Sequence, residues 1–353
     1  MPKSNLSIIE HFLFLGYLKR NYPKKFIEEI NNFILKFNYD IKTLKLYFEN
    51  QKMVNKKPDH KFILANLFSY LSFILSSKNN IPNSYLKMLY EISHYLEPTL
   101  GNSNYFLAEI YSNEKHFKTA LNKLDRIKQN SIMFLYSRIK KYKILKMVDE
   151  NEANKLLKSI KKKYPENNEV LLLIANNYRE QNKCVEAIKI YNKLIEQSEN
   201  NYNYHYLKAI CLDKLKRWEE SKKILIYLIS QNPNDAYALN YLSYSMAIRN
   251  ENLIEAKKLI TKALQIDKNN GFFLDTLGWI QFKLNDIDKA IKSLQLAVEL
   301  EPNNSEIIDH LGDIYYKIGR KKEAIYEWKR ALIGNANDNL KKDIKSKLIK
   351  YNK

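Results

Sequence analysis

Residues 272–304 read FFLDTLGWIQFKLNDIDKAIKSLQLAVELEPNN, and residues 305–335 read SEIIDHLGDIYYKIGRKKEAIYEWKRALIGN. Set one above the other, they place Leu-Gly, Ala, a large apolar residue and a second Ala at the same intervals: Leu277, Gly278, Ala290, Leu294 and Ala297, then Leu311, Gly312, Ala324, Trp328 and Ala331. In each stretch two apolar segments of helical length flank a short polar turn. The grammar is therefore that of a helical hairpin, written twice.

Working outward from this pair, small residues recur at Ala120, Ala153, Ala187, Ser221, Ala256, Ala290 and Ala324, with spacings of 33, 34, 34, 35, 34 and 34 residues. A second register runs 12 or 13 residues ahead of the first, through Ala108, Ala175, Ala209, Ser243, Gly278 and Gly312. It is broken at Lys141. A third is set by Pro98, Pro165, Pro233 and Pro302, about every second repeat. Small residues let two helices cross closely, and a proline after the second helix stops it from propagating. One hairpin cannot bury its apolar face alone, so neighbours must stack on it.

This pattern resembles the tetratricopeptide repeat, a 34-residue unit of the form W-x2-L-G-x2-Y, then Ala, an aromatic, Ala and Pro. The fit is best at 271–304, which carries Leu277, Gly278, Ala290, Leu294, Ala297 and Pro302, with Gln281 where the family has Tyr. The next unit supplies Leu311, Gly312, Tyr315, Ala324, Trp328 and Ala331, and the unit from Asn168 supplies Ile174, Ala175, Tyr178, Ala187 and Tyr191. Units near Tyr202 and Ala236 also fit, the latter with one extra residue in its IRNENL turn. Those near Gly101, Phe134 and Leu67 are more degenerate. The word order LNYLSYS, LDTLGW, DHLGD further resembles a group of bacterial tetratricopeptide proteins. The resemblance implies an all-α fold, an α-solenoid in which antiparallel hairpins form a right-handed superhelix. The expected organisation is an N-terminal helical region over 1–61, eroded repeats or a cap; an array of about eight repeats over 62–336; and a capping helix over 337–353.

Composition agrees with a helical protein: seven Gly and eight Pro are few for 353 residues. The formal charge of +20 invites a nucleic-acid reading. Its cationic residues are spread along the chain, however, and Lys, Asn, Ile, Tyr and Phe are abundant together, as A- and T-rich codons would make them. Cys184 and Cys211 supply neither a metal set nor a disulfide framework and read as helix-packing residues. The apolar stretch from Ile8 to Leu18 is interrupted by Glu10 and His11 and precedes no small-residue cleavage site, so it reads as a buried amphipathic helix. Phe26, Ile30, Phe33, Ile34 and Phe37 share one helical face beyond it. No stretch has transmembrane length, and a cytoplasmic location is expected.

No phosphate-binding Gly-rich loop, nucleophile elbow, HExxH or CxxC occurs, so neither catalytic residues nor a cofactor is expected. Function is expected instead in binding. By the resemblance, positions 2, 5, 9 and 12 of each first helix line the concave face. This puts Tyr237, Asn240 and Tyr244, then Phe272, Asp275, Trp279 and Phe282, then Glu306, Asp309, Asp313 and Tyr316 on one acidic and aromatic wall. Such a wall suits a peptide bearing Lys or Arg, held by carboxylates and by cation–π contacts. Trp279 and Phe282 are equally placed to pack on the next hairpin. The Lys and Asn pair with which chaperone-binding relatives hold a terminal carboxylate is missing from every unit. In DHLGD, His310 points about 100° from Asp309, so no metal site forms without help from another unit. The lysine runs of the second helices read as solvated outer faces, with association to nucleic acid or an anionic membrane as the alternative. A noncatalytic scaffold for a protein or peptide partner is the function expected.

Overall fold

The computed structural model describes residues 60–76, 81–131, 133–336 and 338–351. The N-terminal expectations, the helix over Ile8–Leu18 and the Phe26–Phe37 face, lie outside the described residues. Among those described, seventeen α-helices and no strands occur. They are α1 (His60–Ser76), α2 (Asn83–Leu96), α3 (Gly101–Asn113), α4 (Phe117–Asp125), α5 (Phe134–Val148), α6 (Glu150–Lys163), α7 (Asn168–Glu180), α8 (Cys184–Gln197) and α9 (Tyr202–Lys214). There follow α10 (Trp218–Gln231), α11 (Ala236–Ile248), α12 (Leu253–Ile266), α13 (Gly271–Lys283), α14 (Ile287–Leu300), α15 (Ser305–Lys317), α16 (Lys321–Ile333) and α17 (Asp338–Tyr351). The chain divides into two compact units, Met1–Leu173 and Ile174–Lys353. Within each, odd- and even-numbered helices pair as hairpins and each hairpin packs on the next, the arrangement of an all-α solenoid.

The crossing points are where the small residues stand. Ala108 and Ala120, Ala209 and Ser221, Ser243 and Ala256 are all fully buried. Where serine replaces alanine, its hydroxyl finds a carbonyl on the crossing helix: Ser221 Oγ donates to Ala209 O at 2.8 Å, and Ser243 Oγ to Ala256 O at 2.7 Å. The polar group is thus satisfied without widening the crossing. At Gly278 a Cβ would lie 2.7 Å from Leu294 Cγ and 3.2 Å from Ala290 O, so that crossing is tighter than alanine permits. Lys141, the exception in the register, turns its ammonium to Asp125 of the preceding hairpin at 2.7 Å.

A further register emerges in the turns inside the hairpins, where Lys115, Asn182, Lys216, Asn250, Asn285 and Gly319 all take positive φ. The left-handed residue reverses the chain in a short turn, which asparagine and glycine tolerate best. The extra residue of IRNENL is absorbed here: Asn250 and Asn252 both take positive φ, and Asn252 caps α12 through Glu255 N. Between hairpins, Asp235, Asn270 and Asn304 cap α11, α13 and α15. Pro98, Pro165, Pro233 and Pro302 each lie two residues past a second helix.

The core of the second unit is continuous from hairpin to hairpin. One cluster joins Leu225, Leu228, Leu239, Leu242, Ile260 and Phe273; the next joins Leu294, Ile307, Leu311, Tyr315, Trp328 and Ile344. Ile344, fully buried, comes from α17, which closes this unit. The opposite face of α17 is polar, with Lys342, Lys345, Ser346 and Lys350 exposed.

Candidate functional site

The residues of the expected wall stand on three first helices of the second unit, α11, α13 and α15. Its aromatic part is partly open. Tyr237 is 62% exposed, with its ring edge-on to Phe273 at 5.6 Å, and Phe272 is 50% exposed. Asn240 stands one helical turn along from Tyr237; its Oδ1 is buried and has no hydrogen-bond partner. Burial pushes the Tyr244 phenol up, with Glu306, Asp275 and Asp213 adding to the effect, so it remains a neutral donor.

The acidic part is arranged differently from the sequence expectation of carboxylates open to a partner. Asp275 is only 7% exposed and lies 2.9 Å from Nδ1 of His310, in the next hairpin. Burial pulls the His310 imidazole down, but the charge and hydrogen bond of Asp275, with Glu306 and Asp309 beyond, outweigh it and carry the group up to about 9. Trp279 stacks on the imidazole at 5.2 Å, a hairpin-to-hairpin contact, and meets Phe282 of its own helix at 5.8 Å. His310 does converge with an acid, but it is Asp275 one repeat back, through the stacking of hairpins that sequence spacing leaves out.

One hairpin further on, Lys347 of α17 places its Nζ at 2.8 Å from Asp309 and 3.0 Å from Asp313. Asp313 also accepts from Trp328 Nε1 at 3.0 Å. Burial pushes Asp309 up, the neighbouring Asp313 adds to this, and Lys347 opposes; the carboxyl settles at about 6. Lys347 is itself held strongly protonated, because the two acids outweigh its own burial. Tyr316 packs at a tilt against Tyr351, ring centroids 4.1 Å apart, and Lys347 lies 5.9 Å above the Trp328 ring. An ammonium between carboxylates and beside rings is the ligand this wall was expected to take; here the chain provides it. The spacing of Leu340, Ile344 and Leu348 marks the apolar stripe of α17, and Lys347 turns inward beside it. It follows Ile344 by three residues and precedes Tyr351 by four, so all three share one face.

The same device recurs earlier in the unit. Asp213 accepts from Arg249, from Tyr241 OH at 3.2 Å and from Ser245 Oγ at 3.0 Å. Glu251 accepts from Lys222 and from Trp218 Nε1 at 2.7 Å. Each carboxylate bridges to a neighbouring element, which ties successive hairpins together. Glu306 remains exposed on the wall. No cluster of three potential metal ligands occurs among the described residues, and no described helix is long and apolar enough to cross a membrane. Cys184 and Cys211 are both buried free thiols.

Residues 271–304 match the tetratricopeptide repeat family, and residues 149–228 match the family of subunit 3 of the anaphase-promoting complex, or cyclosome. A TPR repeat-containing protein of Pseudomonas aeruginosa is 28% identical over 120 residues, 34% of this chain. The chain spans 20% of that relative's length. Among solved structures, a tetratricopeptide repeat protein from Parabacteroides merdae superposes with a TM-score of 0.55 at 13% identity, covering 69% of this chain and 96% of that one. A thermophilic TPR protein of Thermus thermophilus gives 0.48 at 20% identity, covering 52% and 100%. These likenesses are to the fold.

Proposed function

We propose, from the premise that this chain is a tetratricopeptide repeat protein, that it is a noncatalytic scaffold which lays a segment of a partner protein along the first-helix face of its second unit. The observation that carries the proposal is the exposure of Tyr237 and Phe272 on successive first helices, beside the unpartnered Asn240 carbonyl. A ring half open to water gains by being covered, and an amide oxygen with no donor suits a backbone N–H laid across the helices. Beyond them Glu306 is exposed on α15, so a Lys or Arg of the partner would meet a carboxylate one helix along from the Phe272 ring. Asp275, Asp309 and Asp313 belong to the chain's own framework in this reading.

Two exposed tyrosines make the test specific, because Tyr237 lies on a first helix and Tyr326, 65% exposed, on a second. A photo-crosslinking amino acid placed at each in turn is expected to trap one discrete protein at position 237 and not at 326. Equal trapping at both, or adducts to nucleic acid, sinks the groove reading and favours the basic-surface alternative. Loss of the adduct when Phe272→Ala is added confirms the occupied face.

A further inference from the structure

Arg179 lies at the twelfth position of α7, the inner register of its helix. It differs from the other cations that the first helices and α17 turn toward this face. Arg249 meets Asp213, His310 meets Asp275, and Lys347 meets Asp309 and Asp313. Arg179 meets no carboxylate among the described residues. Its Nε is buried and has no hydrogen-bond partner. The guanidinium stands beside the Tyr191 phenol, whose hydroxyl donates to Asn176 Oδ1 at 2.9 Å. Both groups are neutral. The Tyr206 phenol and the buried Cys211 thiol also lie within its electrostatic reach. Asp235, the acid that acts on Tyr206, is engaged in capping α11 through Ala238 N at 3.0 Å. A guanidinium stays charged at every physiological pH, and its planar fork of N–H donors matches a carboxylate edge. The groups seen beside it are thus neutral hydroxyl, amide, thiol and ring groups, and no described carboxylate forms an ion pair with it.

We propose that Arg179 is a carboxylate-binding residue that receives an Asp or Glu side chain of the docked protein segment, Tyr206 flanking it. This rests on the reading of the first-helix face as the binding face, and it gives the partner a polarity: acidic toward α7, basic toward α15, where Glu306 stands. Charge complementarity selects this occupant, since the chain carries a formal +20 and so attracts acidic segments before any specific contact is made.

An acetylated, amidated peptide of alternating Glu and Ala, which has no free terminal carboxylate, serves as the probe, with fluorescence anisotropy as the readout. Arg179→Gln is expected to weaken binding at least about tenfold, and Arg179→Lys to give only partial rescue, because it keeps the charge and loses the fork. Lys329→Gln, an exposed outer-face variant, is expected to stay within about twofold. In wild type labelled at arginine, the Nε–H resonance of Arg179 should move as peptide is added, which reads the site without any substitution. Equal weakening by the Arg179 and Lys329 variants, a stationary Nε–H resonance, or no measurable binding to wild type each overturns the proposal. If Arg179→Gln is silent while Tyr237→Ala with Phe272→Ala releases the peptide, the carboxylate site falls and the groove stands. If the Arg179 effect persists and the ring variants are silent, it is the ring face that falls.

Discussion

Lys347 sets its ammonium 2.8 Å from the carboxylate of Asp309, thirty-eight residues earlier in the chain, and so ties the last helix to the inner face of the last hairpin. Removing the cation leaves two mostly buried acids facing each other. Lys347→Met is expected to destabilise the second unit by about 3 kcal/mol, the cost typical of orphaning a buried charge. Asp309→Asn on that background should restore part of the loss. Denaturation followed by tryptophan fluorescence reads the effect, since all three tryptophans lie in the second unit, and a Lys347→Met protein as stable as wild type would remove the latch from the account.

The Asp275–His310 pair predicts a pH dependence whose sign follows from direction alone. His310 is raised above its ordinary value in the folded chain, so its contribution is complete below the unfolded value and declines as pH rises. With the folded group up at about 9, the contribution drains away between the ordinary 6.5 and that value, and amounts to no more than about 3 kcal/mol. Unfolding measured across this window should show stability falling toward alkaline pH in wild type and a flatter profile in His310→Gln. Identical slopes in the two proteins would contradict the pairing.

Gly312 packs against the edge of an indole. A Cβ there would lie 2.7 Å from Trp328 Cδ1 and Nε1 and 3.3 Å from Ala324 O. Gly312→Ala is therefore expected to cost about 2 kcal/mol, since Trp328 is a rigid ring anchored by its hydrogen bond to Asp313. Gly278→Ala should cost less, because the atom it meets belongs to the flexible Leu294 side chain. Thermal unfolding of the two variants gives the order directly.

Lys216 holds a left-handed turn at φ 61° with a side chain that gains nothing from it. Lys216→Gly is expected to stabilise the second unit by up to about 1 kcal/mol, by relieving the strain of a β-carbon at positive φ. Asn285→Gly, starting from a residue that tolerates the conformation, should gain less. Hydrogen exchange across the α9–α10 turn provides the local readout.

Much of this molecule is legible in the chain because a solenoid is built from short-range rules repeated. The small residues at the crossings, the prolines two places past second helices and the extra residue of the IRNENL turn each act within one hairpin or on its nearest neighbour. Their spacing is therefore written in the sequence. The positive-φ turn register was present in the same spacing but disguised, since Lys, Asn and Gly share a backbone state rather than a composition.

Which charges meet which is another matter. Asp275, Asp309 and Asp313 share the register that the repeat spacing marks as inner, yet their cationic partners lie 34 to 38 residues away on other elements. Pairing at that range depends on how far each hairpin is rotated on the last, a quantity set by packing volumes across the stack. A sequence period fixes which residues share a face; only the stacked structure decides whether an acid on that face awaits a partner or has already met a cation of its own chain.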